Sequence, residues 1–158
     1  MLVDLGHRIT PEICDQVLLK ICSKPAASPL SSSPALLVIS RFEDRLAAPA
    51  CRAAFKSACS MGDLRYMAMC LEHTADRLDL SVMGNDLKTR CLLSEPRVAI
   101  PTIRVYRNSI DRAHVSTIID NKWYEREMMQ ALIYYCRDKI DVQAIGKVFY
   151  PGILHRGP

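Results

Sequence analysis

The chain has 158 residues, 49% of them apolar, and a formal net charge of +4. That length fits one domain, residues 1–158, and the composition excludes a wholly disordered chain. The charge falls far short of a strongly basic nucleic-acid binder, and no apolar run approaches the roughly 18 residues that a membrane span needs.

Residues 1–9 form a mixed lead-in. Asp4, Glu12 and Asp15 are at odds with an acid-poor transit peptide, and no apolar run suits a secretory signal, so an intracellular protein is expected. Thr10-Pro11-Glu12 is a helix start: a capping hydroxyl, a proline with its φ preset, and an acid at the positive end of the dipole. Ile13, Val17, Leu18 and Ile21 supply the expected inward stripe. Residues 23–34 are rich in serine and proline and read as a surface loop or linker.

Ser33-Pro34 restarts a helix along Leu36, Ile39 and Leu46, and Pro49 is expected to break it. The alanine-rich stretch 50–59 follows as a third helix. Met61-Gly62-Asp63 forms a turn and a cap, and Leu64, Met67, Leu71, Ala75 and Leu78 give an amphipathic helix to about residue 80. Residues 86–93 allow one short helix. Residues 97–107 are β-branched around Pro101 and predict extended chain or an edge strand. Asn108, Ser109 or Asp111 then caps a helix through Ile119.

The core is expected to form around residues 121–149. Asp120 or Asn121 caps a helix from Lys122, with Tyr124, Met128, Ala131, Leu132, Tyr135 and Cys136 on one stripe. Trp123, the sole tryptophan, lies in its first turn. Asp141 caps a shorter helix through Phe149, and Pro151-Gly152 ends it. Together these predict a mainly α fold: an irregular bundle of about six to eight short helices with one extended segment near 97–107.

Seven cysteines without a secretory signal read as reduced, buried thiols. Their spacing offers a second reading. Cys14 and Cys22 share one helix, and Cys51 and Cys59 repeat the interval on another. Residues eight apart lie about 12 Å apart along a helix and on roughly one face. Two such helices packed antiparallel could be stapled by Cys14–Cys59 and Cys22–Cys51. This pattern resembles the coiled-coil-helix hairpins of the mitochondrial intermembrane space, although the interval is shorter than theirs usually is. The resemblance spans residues 10–60 and implies a mitochondrial location.

Cys70 and His73 sit one helical turn apart, yet no further ligand lies near them in sequence, so no metal is expected. No cofactor is expected either. The run 139–149 has the rhythm of an EF-hand exit, but a loop starting at Ile133 would lack its acidic ligands. There is no nucleophile elbow, phosphate loop or metalloprotease motif. The basic segment is the best ligand-facing candidate: Arg97, Arg104, Arg107 and Arg112 surround Tyr106, offering forked contacts to phosphate or carboxylate and a ring to stack on. The expectation is therefore a non-catalytic helical accessory or scaffold subunit that binds other protein subunits. The alternative is a small RNA-binding subunit of a ribonucleoprotein that uses residues 97–112.

Overall fold

The structure is a computed structural model that describes residues 9–23, 33–143 and 146. The described residues form α1 (Pro11–Cys22), α2 (Ser33–Phe42), α3 (Ala48–Met61), α4 (Leu64–Thr74), α5 (Asn85–Leu92), α6 (Pro96–Tyr106), α7 (Arg112–Lys122) and α8 (Arg126–Tyr135), joined by short 3-10 turns, and no strand. The chain divides into two compact units, Met1–Leu87 and Lys88–Pro158. Most of the serine- and proline-rich loop at 23–34, nearly all of the short helix expected up to Phe149, and the chain beyond lie outside the described residues.

The start signals act through the chemistry expected of them. Thr10 Oγ1 accepts from the Ile13 N–H at 3.4 Å, Asp63 Oδ1 from Tyr66 at 3.1 Å, and Asp111 Oδ1 from His114 at 2.8 Å. Each satisfies a backbone donor that the first helical turn leaves unpaired. Between α3 and α4 the chain reverses at Gly62, whose φ of 65° is left-handed and costs a residue without Cβ nothing. Pro49 opens a helix instead of breaking one. It lies in the first turn of α3, where a missing N–H is not needed.

In the first unit α3 packs on α1 and α4, and α2 packs on α1 and α4. Ala50, Ala54 and Ala58 are buried along α3, so neighbouring helices approach closely around Phe55, Met67 and Leu71, all fully buried. The turn between α2 and α3 is stitched down by polar side chains. Asp15 on α1 accepts from the Ala47 N–H at 2.8 Å. Arg77 donates to the carbonyls of Glu43, Leu46 and His73. Glu43 in turn pairs with His73 Nδ1 at 2.6 Å.

In the second unit α8 packs on α6 and α7. Met128, Ala131, Leu132 and Cys136 are buried as their spacing predicts. The start of this element differs from expectation. Lys122 ends α7, the chain turns at Trp123 and Tyr124, and α8 begins at Arg126. Trp123 and Tyr124 consequently stay exposed.

Segment 97–107 is the main correction. It is helix α6, not extended chain. Pro96 sits at its first position with φ preset for a helix. Val98, Ala99, Thr102, Ile103 and Tyr106 recur at helical spacing and are all buried. Pro101 forfeits one backbone hydrogen bond, and burying this face outweighs the loss. β-branching is a weaker preference than the burial of a whole face.

Candidate functional site

The helical form of 96–106 decides what the arginine segment offers. Residues seven apart return to nearly the same side of a helix, so Arg97 and Arg104 line one side of α6. Arg97 is exposed and Arg104 half-buried. Arg107 follows the helix end, with its Nη1 donating to the Arg104 carbonyl at 2.9 Å and Lys139 Nζ donating to its own carbonyl. Arg104, Arg107 and Lys139 gather at the end of α6, where the helix dipole is negative. Arg112 belongs to α7 and borders an open groove lined also by Ser116, Ile140 and Gln143. Arg97 and Arg104 thus share one side of α6 at opposite ends, about 10 Å apart along its axis, and Arg112 stands on a separate helix.

Tyr106 does not fit the role expected of it. It is only 7% exposed, and the Lys88 ammonium lies 5.2 Å from its ring centroid. Lys88 is itself buried, with Nζ 3.5 Å from Ser109 Oγ. The tyrosine therefore serves a buried cation–π contact and is not a stacking platform. Among the described residues of this unit, the exposed aromatic side chains are Trp123, Tyr124 and Tyr134.

All seven cysteines are free thiols. The antiparallel staple is excluded by helix direction. Asp15 near the start of α1 meets Ala47 at the start of α3, and Leu19, Cys22 and Ser23 share a groove with Ala53, Lys56, Ser57, Ser60 and Met61 towards the end of α3. The two helices run parallel, so Cys14 and Cys59 stand at opposite ends of the pair, as do Cys22 and Cys51. The compartment implied by the hairpin resemblance loses its footing with the staple. Burial pushes the Cys14, Cys22, Cys51 and Cys70 thiols up, which keeps them protonated and poorly nucleophilic. Cys22 Sγ lies 3.5 Å from the hydroxyl of the buried Tyr66. Cys70 and His73 gain no third ligand, and among the described residues no cluster of three His, Cys, Asp or Glu could hold a metal.

Of the expected inward stripe on α1, Leu18 is buried and Ile21 half-buried, but the other two members were misplaced. On α1 the buried residues are Cys14 and Leu18, while Ile13 and Val17 point outward, 45% and 40% exposed. Leu19 is 42% exposed, and Leu37 on the adjacent α2 is 43% exposed. The stripe Cys14–Leu18 was available at the same four-residue spacing. With apolar residues on both sides of α1, periodicity alone did not choose between them.

No helix of the described residues is long and apolar enough to cross a membrane. In comparisons with known proteins, no family model, no curated protein and no solved structure matches the chain.

Proposed function

We propose that this protein is a non-catalytic helical accessory subunit that works by contact with other proteins. The observation that supports it best is α1. Its inner side is buried by Cys14 and Leu18, and its outer side still presents Ile13 and Val17. A helix that is apolar on more than one side is ordinarily covered on more than one side, and the described residues of this unit cover only one. Leu37 on α2 adds to the apolar exposure of the unit.

The test is affinity capture of the tagged chain from its own cells, with and without nuclease, beside the variant Ile13→Asp/Val17→Asp. The reading expects stoichiometric, nuclease-resistant protein partners that the variant loses while keeping its helical content. A chain recovered alone, or partners unchanged by the variant, would contradict it.

A second reading, contact with RNA, is favoured by the alignment of Arg97 with Arg104 and by the basic end of α6. Its phosphate contacts would be made by arginines without help from Tyr106. Replacing Arg104 and Arg107 by alanine then lowers the salt slope of RNA affinity by about one to two. An unchanged slope removes these residues from that role.

A further inference from the structure

Lys88 on α5 is a buried cation without an anion. It is 8% exposed, and it makes no ion pair with any described residue. Its Nζ has the Tyr106 ring on one side and Ser109 Oγ at 3.5 Å. A ring face and one hydroxyl at the limit of hydrogen bonding leave the three donors of an ammonium poorly used. Buried charges are ordinarily paired. Lys88, Tyr106 and Ser109 all belong to the second unit.

Ser109 reaches this cation from the solvent side. It closes the turn between α6 and α7, in which Arg107, Asn108 and Ser109 are all exposed. Its hydroxyl is dispensable to the turn. Ser109 Oγ donates to the Tyr106 carbonyl at 3.1 Å, but that carbonyl also accepts the N–H groups of Ser109 at 2.9 Å and Ile110 at 3.0 Å. A group attached to Oγ therefore strands no backbone acceptor. The flanking chain is basic: Arg107 stands two residues before Ser109 and Arg112 three after it, both exposed. Asp111 is the acid between them, and its Oδ1 already accepts the His114 N–H.

We propose that Ser109 is a phosphorylation site, and that its phosphate is the anion Lys88 lacks. The modifying enzyme is a protein kinase whose acidic substrate groove selects acceptors flanked by arginine. Ser109 Oγ attacks the γ-phosphorus of ATP. The Oγ–P bond forms as the bond to the β-phosphate oxygen breaks, ADP leaves, and the hydroxyl proton passes to the kinase's catalytic carboxylate. The product carries about 1.5 to 2 negative charges and three strong acceptor oxygens. These stand beside the Lys88 ammonium, where charge-assisted bonds are roughly twice as strong as neutral ones. Ile110, 1% exposed, anchors the chain directly after the acceptor, so the kinase acts on the locally opened turn. Once made, the phosphate holds that turn closed. This inference depends neither on the contact assigned to α1 nor on the RNA reading.

The full chain is prepared with phosphoserine at position 109 by codon expansion and compared with the unmodified chain. Thermal melts should show the phosphorylated form about 2–4 °C more stable. Lys88→Met should abolish that gain, and Lys88→Gln repeats the comparison should the first variant lose helicity. In phosphorus NMR the phosphate should ionise at lower pH than in a free phosphoserine peptide, and either Lys88 variant should remove the difference. Mass spectrometry of the chain from its own cells, lysed with phosphatase inhibitors, should place a phosphate within residues 108–112. A melt unchanged or lowered by the phosphate would overturn the proposal, as would an equal gain in the Lys88 variants. So would inorganic phosphate giving the unmodified chain the same gain, or the peptide 108–112 recovered wholly unmodified.

Discussion

The two units put their charges to different uses. Up to Leu87 the chain carries nine basic and ten acidic side chains, and several of them work inward. Asp15 holds the start of α3, Glu43 pairs with His73, and Arg77 gathers three carbonyls. Beside its exposed charges, that unit leaves the apolar Ile13, Val17, Leu19 and Leu37 outside. From Lys88 onward there are twelve basic and seven acidic side chains, and many of them point outward. Arg97, Arg112, Arg126, Glu127, Arg137 and Asp138 are exposed, as are Tyr124 and Tyr134. One chain of ordinary composition can therefore present two kinds of surface, depending on which side chains the fold consumes.

Perturbing each unit separates these roles. The largest effect is expected from Phe55→Ala, which empties the centre of the first unit. It should cost about 3–5 kcal/mol, read as a lower denaturation midpoint by circular dichroism. A cost under about 1 kcal/mol would mean that Phe55 is not a core residue. Next comes Arg77→Ala, which strands the carbonyls of Glu43, Leu46 and His73. A loss of about 1–3 kcal/mol is expected by urea titration. Arg97→Ala, exposed on α6, should stay within about 0.5 kcal/mol of the parent in the same titration.

Alkali gives a third, graded effect. Burial raises the thiols of Cys14, Cys22, Cys51 and Cys70 in the first unit and those of Cys91 and Cys136 in the second, with Cys91 pushed up to about 11 from 9.0. Between those two values the unfolded chain has released a proton that the folded chain keeps. Stability is therefore whole below the unfolded value and falls as pH rises from about 9 to 11. Cys91→Ala should flatten part of that decline in thermal melts recorded between pH 8 and 11. A slope unchanged by the substitution would place that thiol outside the linkage.

Much of the helical framework was legible because it rests on local chemistry. Thr10, Asp63 and Asp111 cap helices through a side-chain oxygen a few residues from the donor it satisfies, and Gly62 ends α3 where a left-handed residue is required. What stayed hidden depended on distant partners. Val98, Ile103 and Val105 favour a strand locally, and only the neighbours that bury Val98, Ala99, Ile103 and Tyr106 make α6 a helix. The turn at Trp123-Tyr124 lacks glycine and proline, so nothing local marked the break before α8. Helix direction was equally silent: the spacing of Cys14, Cys22, Cys51 and Cys59 is the same for parallel and antiparallel packing. On α1, Leu18 can be joined at four-residue spacing by Cys14 or flanked by Ile13 and Val17, and only the arrival of α2 and α3 decides which of them is covered.

The claim that the first unit meets another protein through α1 has a direct test. A photo-crosslinking amino acid is placed at Val17 in the full chain, expressed in its own cells, with Asn108 as an exposed control position. Irradiation at Val17 should give a discrete adduct with a different protein, absent from Asn108 and resistant to nuclease. Adducts only with nucleic acid, or a Val17 pattern no different from that at Asn108, would contradict the account.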